Sequence, residues 1–181
     1  MISFYIALRD GRTVHVRETS LADEAELVQL FERMSDDARY MRMMSVMREP
    51  NLPRGRSVIG SFPEAGIGLV ATVPAADGID IVGSAIAIFA KGEPSCEFAI
   101  TVDAAYGGAG LASALMKALM EEARVRGMRT MEGFVLSQNQ AMLRLARRLG
   151  FEVRYDPDDA SVRICRKALD APLPGGAEAT A

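Results

Sequence analysis

The chain of 181 residues has no tryptophan, one histidine and two cysteines. So few nitrogen and sulfur donors cannot plausibly build a zinc site, so no metal is expected. Cys96 and Cys165 each lie in an apolar, strand-like run, the pattern of buried free thiols rather than of a disulfide. No apolar run approaches the roughly 20 residues of a membrane span. The start, Met1-Ile-Ser-Phe-Tyr5, lacks a basic region followed by an apolar stretch. A cytoplasmic protein with no membrane partner is therefore expected. The net charge of −3 comes without any block of basic residues. That argues against a nucleic-acid partner and leaves room for a basic one, such as a lysine or another amine.

What is present suits a single folded unit. Apolar residues make up 49% of the chain, and its length is that of about one domain with a sizeable core. Residues 3–8 and 13–17 alternate as two strands, with Asp10-Gly11 as the hairpin turn between them. Ser20-Leu-Ala-Asp23 opens a helix running to about Met34, and Ser35-Asp-Asp37 caps a second, short one from Ala38 to about Met44. Residues 48–66 hold Pro50, Pro53, Pro63 and several glycines and read as a loop, with at most a short helix near 58–62. Strands at about 67–73 and 79–89, joined by Ala75-Ala-Asp-Gly78, precede the most informative part of the chain. Residues 170–181 are rich in proline, glycine and alanine and are expected to form a disordered tail.

That informative part runs from Cys96 to Phe151. An apolar strand interrupted by one glutamate (Cys96-Glu-Phe-Ala-Ile-Thr-Val102) leads to Tyr106-Gly-Gly-Ala-Gly-Leu-Ala112 and straight into an amphipathic helix over 110–126. A strand over 129–135, a helix over 138–149 opened by Asn139 and closed by Gly150-Phe151, and short strands near 151–154 and 161–166 complete the pattern. A glycine-rich turn ahead of a helix N-terminus leaves several N–H groups without helical acceptors, where the helix dipole favours an anion. A phosphate or pyrophosphate is the implied ligand class. A P-loop is excluded because Gly110 is followed by Leu111-Ala112 rather than Lys-Ser/Thr. A dinucleotide fingerprint fails because Ser113 stands where its third glycine belongs and the loop lies past mid-chain.

The segment resembles the acetyl-CoA-binding core of the GCN5-related N-acetyltransferase (GNAT) superfamily, whose turn reads Gln/Arg-x-x-Gly-x-Gly/Ala. Gly110 and Ala112 match it, while Gly107 stands where Gln or Arg is usual and Ala109 where arginine is common. Val102-Asp-Ala-Ala-Tyr106 before the turn, Ser113-Ala-Leu115 after it and Asn139-Gln-Ala-Met142 through Leu149-Gly-Phe151 extend the likeness, which spans roughly Thr13 to Arg166. It implies an α/β fold, one mixed and mainly antiparallel sheet with helices on both faces, over residues 1–169. It implies acetyl-CoA as acyl donor, held by Ile100, Thr101 and Val102, by Gly107, Gly108, Ala109, Gly110, Leu111 and Ala112, and by Asn139 and Met142. A homodimer is plausible only by family habit.

Glu97 stands alone among apolar residues, where partial burial raises a carboxyl pKa. Strand parity puts Glu97, Ala99 and Thr101 on one face. The residues alone leave Glu97 as either a general base or a solvated glutamate at a strand end; the resemblance favours the base. Many relatives carry a tyrosine acid seven residues after the asparagine, but this chain has Ala146 there. Tyr40, Tyr106 and Tyr155 are the remaining options, and His15 reads as structural. The stretch Phe31 to Ser45 further resembles bacterial protein-lysine acetyltransferases that act on acyl-CoA synthetases. The leading expectation is thus acetyl transfer to a protein lysine. A small amine or amino acid as acceptor, or a non-catalytic CoA-sensing module, are the alternatives.

Overall fold

The computed structural model describes residues 1–45 and 47–170. The expected tail thus falls, except for Asp170, outside the described residues. The alternating N-terminal segment forms a hairpin, β1 (Ser3–Ala7) and β2 (Thr13–Glu18). Leu8 is buried at the base of its turn and Gly11 takes a positive φ of 88°. A 3-10 turn (Leu21–Asp23) leads into α1 (Glu24–Arg33). Asp23 fixes that corner by accepting from the Ser20 N–H at 2.8 Å and pairing with Arg17 at 2.6 Å. α2 (Asp36–Met43) follows, capped by the Ser35 hydroxyl, which accepts from the Ala38 N–H.

α3 (Leu52–Gly60) corrects the expectation of a loop over 48–66. Asn51 caps it by accepting from the Arg54 N–H at 3.1 Å. Pro53 lies in the first turn, where a missing N–H costs no helical hydrogen bond. Prolines and glycines were breakers by composition only; their positions make them a start signal. After α3 the Phe62 ring packs over Gly66 and Gly68 of the next strand, where an added Cβ would run into it.

β3 (Gly66–Ala75), β4 (Gly78–Phe89) and β5 (Ser95–Val102) form an antiparallel meander. α4 (Leu111–Val125) crosses to β6 (Thr130–Leu136), which runs parallel to β5; α5 (Gln140–Arg148), β7 (Glu152–Tyr155) and β8 (Val162–Ala168) follow. The strands make one mixed sheet ordered β1-β2-β3-β4-β5-β6-β8-β7, antiparallel except for β5 against β6. This is the α/β architecture expected from the sequence.

The two faces carry different helices. Leu111, Leu115, Leu119 and Met120 of α4 and Leu143, Leu145 and Ala146 of α5 enter the main core with Cys96, Phe98 and Met131. On the other face Leu30 of α1 packs on Val70 and Ile81, and α2 lies against β5 and β6. Burying a large aliphatic side chain such as Leu115 or Leu119 stabilises the fold by about 1.5–3 kcal/mol. The consequence for function is geometric: β5 and β6 are sandwiched between α4–α5 and α2.

Candidate active site

β5 and β6 stay together for only three register positions, Ser95 with Thr130, Cys96 with Met131 and Glu97 with Glu132. Beyond Glu132, β6 continues along β8 to Leu136, while β5 continues along β4 to Val102. The two parallel strands therefore part just after Glu97. The Asp103 N–H bonds Val82 O on the β4 side at 2.9 Å. Alternation along an antiparallel strand then turns the backbone groups of Ile100 and Val102 the other way, into the gap. Thr101, also expected to contact cofactor, turns its backbone toward β4 instead, and its side chain shares the Glu97 face.

Below the gap lies the glycine loop. Asp103 accepts from the Ala105 N–H at 2.9 Å and from Arg33 Nε at 2.8 Å, fixing a 3-10 turn (Ala104–Tyr106). Gly107 is extended, Gly108 has φ 72° and Gly110, the residue preceding α4, has φ 93°. Those last two conformations are ones that residues with a Cβ rarely adopt. Ala109 and Leu111 are buried in the core, so the loop turns its small side chains inward and its backbone out. Ala109, 6% exposed, is packed into the core at the position where arginine is common in relatives. Among the described residues the N–H groups of residues 108–113 donate to no protein acceptor; the first of the helix to do so is that of Ala114, to Gly110 O. Six successive free donors beside a helix N-terminus make a cradle that fits a pyrophosphate.

Asn139 caps α5, its side-chain oxygen accepting from the Met142 N–H at 3.2 Å. Met142 itself is half-buried against the main core. Ala146 is fully buried on α5.

Glu97 lies on the opposite, α2-bearing face, in a cleft of about 290 Å³ that it lines with Glu93, Ser95, Thr130, Glu132 and Arg166. Its side chain reaches solvent at the cleft mouth, yet its pKa is raised above the ordinary glutamate value. Partial burial is the largest cause and the neighbouring Glu132 carboxylate the next; Arg42 and Arg54 oppose them. Glu132 is in turn approached by Arg166 at 3.7 Å. Arg42 comes from α2 and is lowered by burial, and its Nε has no hydrogen-bond partner among the described residues. The sequence singles out Glu97 but not its neighbours Glu132, Arg42 and Arg54. A glutamate isolated in the apolar run Thr130 to Leu136 was the available signal for Glu132. The two arginines are brought in by tertiary packing of α2 and α3.

The candidate acids separate clearly. Tyr40 is on α2, the helix against β5 and β6. Tyr106 lies under the Arg12 guanidinium, 3.9 Å from the ring centroid. Tyr155 is on the far edge strand, beside Arg163. His15 accepts or donates a hydrogen bond with Ser3 at 2.8 Å and stacks on Tyr5, a role in the hairpin. Cys96 and Cys165 are buried free thiols, pushed up by burial to about 12 and about 11.

Comparison with known proteins agrees with this geometry. The acetyltransferase (GNAT) domain profile matches residues 14–152. The chain is 31% identical over 163 residues to Acetyltransferase PA5475 of Pseudomonas aeruginosa, covering 90% of this chain and 88% of that protein. Among solved structures, the GNAT domain of S. lividans PAT superposes with a TM-score of 0.82 at 23% identity, over 92% of this chain and 96% of that one. The yncA protein of Salmonella typhimurium, solved with its cofactor acetyl-CoA, has a TM-score of 0.67 at 20% identity, covering 88% and 95%. A cAMP-binding acyltransferase from Mycobacterium smegmatis matches with a TM-score of 0.64 at 24% identity, and this chain spans 47% of its length. Profile, relative and fold converge: the chain belongs to the GNAT family of acetyl-CoA-dependent acetyltransferases.

Proposed function

We propose that the protein transfers an acetyl group from acetyl-CoA to a protein lysine side chain, with Glu97 as general base. The observation that carries this reading is where Glu97 stands, at the last register position before β5 leaves β6, with its pKa raised. A lysine amine of pKa about 10.4 is almost wholly protonated at pH 7, and deprotonating it costs about 4.6 kcal/mol. A carboxylate with a raised pKa takes that proton more readily than an ordinary glutamate, directly or through a water.

Acetyl-CoA supplies the activated acyl group. The cradle of residues 108–113 would hold its pyrophosphate, and the backbone groups of Ile100 and Val102 are the donors at hand to orient its thioester. Asn139 acts first as a helix cap, its oxygen being used by the Met142 N–H, so only its NH₂ remains for a ligand. Buried Ala146 offers no acid, so a tyrosine from elsewhere or a water would protonate the departing thiolate, with Tyr40 on α2 the first to test.

Acceptor choice rests on the cleft that Glu97 lines. Glu93, Glu97 and Glu132 line the cleft with Arg166, while Arg42 and Arg54 act on Glu97 from α2 and α3, so the carboxylates are the groups that would receive an amine. The likeness of residues 31–45 to protein-lysine acetyltransferases supports a lysine on a protein, an acyl-CoA synthetase being the first to try. Free, buried Cys96 and Cys165 suit a reducing cytoplasm.

The test is acetylation, read by mass spectrometry, of an acyl-CoA synthetase, a lysine peptide, a polyamine and free amino acids. Modification of a protein lysine is expected, slowed about 10²- to 10⁴-fold by Glu97→Gln. Acetylation of a small amine with inert proteins would replace the lysine assignment. A Glu97→Gln enzyme as fast as wild type would remove Glu97 as the base.

A further inference from the structure

The loop that should hold the pyrophosphate has no side-chain cation of its own, since Gly107 and buried Ala109 occupy the positions that supply one in relatives. One arrives from a sequence-distant element. Leu8, buried at 5% exposure, anchors the β1–β2 turn in the main core, and the next residue, Arg9, lies against the loop. The Arg9 backbone N–H bonds Ala109 O at 3.2 Å, and its Nη2 bonds Gly108 O at 3.0 Å. Its Nε and Nη2 would stand 3.5 and 3.8 Å from a Cβ added at Gly110. The guanidinium therefore lies alongside the glycine stretch, beside the free N–H groups of residues 108–113.

Its chemistry fits the place. A guanidinium carries five N–H donors, and among the described residues it makes one hydrogen bond, to Gly108 O. Arg12, on the same turn, is differently employed, paired to Asp10 through Nε and Nη2 and stacked on Tyr106. Arg9 keeps its charge uncompensated by any carboxylate among the described residues, whereas the Arg12 charge is neutralised.

We infer that Arg9 is a cofactor-binding residue, supplying from the β1–β2 turn the cation that the 107–112 loop lacks and bonding a pyrophosphate oxygen of acetyl-CoA. The inference rests on the reading of residues 108–113 as the pyrophosphate cradle. It also gives the hairpin turn a role: the turn docks on the loop through backbone and positions a fork of donors before the ligand arrives. Gly110 lies within contact range of that guanidinium, and its positive φ starts the helix beside it.

The experiment is calorimetric titration of wild type, Arg9→Gln, Arg9→Lys and a distant charge control, Arg154→Gln, each with acetyl-CoA and with S-acetylpantetheine, which lacks the pyrophosphate. Arg9→Gln should bind acetyl-CoA about ten- to a hundredfold more weakly, the value of one charge-assisted hydrogen bond. Arg9→Lys should recover part of the loss, and Arg154→Gln should bind as wild type does. Binding of S-acetylpantetheine should not change in any variant, nor should the unfolding temperature without ligand, because Arg9 is exposed. Tight acetyl-CoA binding by wild type and Arg9→Gln alike would overturn the role of Arg9 and leave the cradle standing. An equal loss for both ligands would also overturn it, showing that Arg9 only shapes the loop. Wild type binding acetyl-CoA no better than S-acetylpantetheine would refute the cradle itself, and Arg9 with it.

Discussion

The glycine cradle and the Glu97 cleft, on opposite faces of β5 and β6, are built from different materials. On the α4 side the cradle is backbone, with free N–H groups at residues 108–113 and the outward-turned peptides of Ile100 and Val102. On the α2 side the cleft is side chain, with Glu97, Glu132 and Arg166 from three strands, and Arg42 and Arg54 act on Glu97 from two helices. On the proposed function, a pyrophosphate at the cradle presents the same oxygens in every turnover, so fixed peptide dipoles suffice for it. An amine must lose a proton, so its site needs a titratable group whose pKa is tuned by neighbours. The division predicts that variants on the donor side should change affinity, and variants on the acceptor side should change rate and pH dependence.

The largest structural break on the donor side is Gly110→Ala. With φ at 93°, an alanine there costs about 1–2 kcal/mol of stability. Its Cβ would meet Arg9 only at ordinary contact distance, but the strained backbone would displace the free N–H groups, so acetyl-CoA binding should weaken while kcat at saturating cofactor stays near wild type. Chemical denaturation and calorimetry on one preparation check both halves. Asn139→Ala comes next. Loss of the cap should cost about 1 kcal/mol. An acetyl-CoA affinity equal to wild type would confine Asn139 to capping, and a weaker one would add a ligand contact through its NH₂.

On the acceptor side Glu132→Gln sharpens the comparison. The Glu132 carboxylate helps raise Glu97, so its removal lets Glu97 ionise at lower pH and should move the acid limb of the kcat profile downward. An unmoved limb would leave burial as the sole cause. The smallest effect concerns stability. Burial and Glu132 make folded Glu97 hold its proton more tightly than the unfolded chain does. That contribution is complete below the unfolded value of about 4.3 and is lost as pH rises through the folded one. Glu97→Gln, which cannot ionise, should therefore gain in Tm relative to wild type as pH is raised from 4 to 8.

The same division explains what could be read in advance. The order of strands and helices, the glycine turn, the Asn139 cap and the lone Glu97 are local patterns, and each lies where its residues indicated. The helix Leu52–Gly60 was hidden because Pro53 and Gly55 break helices in general, although proline in a first turn does not. Glu132 as a neighbour of Glu97 depends on the register of two strands separated by α4, and Arg42 on how α2 settles over them. Arg9 lies about a hundred residues from the loop it touches. Backbone-built sites are legible because glycine and helix starts leave marks in sequence. Side-chain sites assembled across the sheet leave only isolated charges.

The account stands most directly on one pair of numbers for Glu97→Gln: kcat at saturating acetyl-CoA, and the Kd for acetyl-CoA measured without acceptor. A fall in kcat of about 10²-fold or more with Kd unchanged is the predicted result. A kcat equal to wild type, or a loss confined to Kd, would contradict the separation of a backbone-held donor from a carboxylate that deprotonates the acceptor.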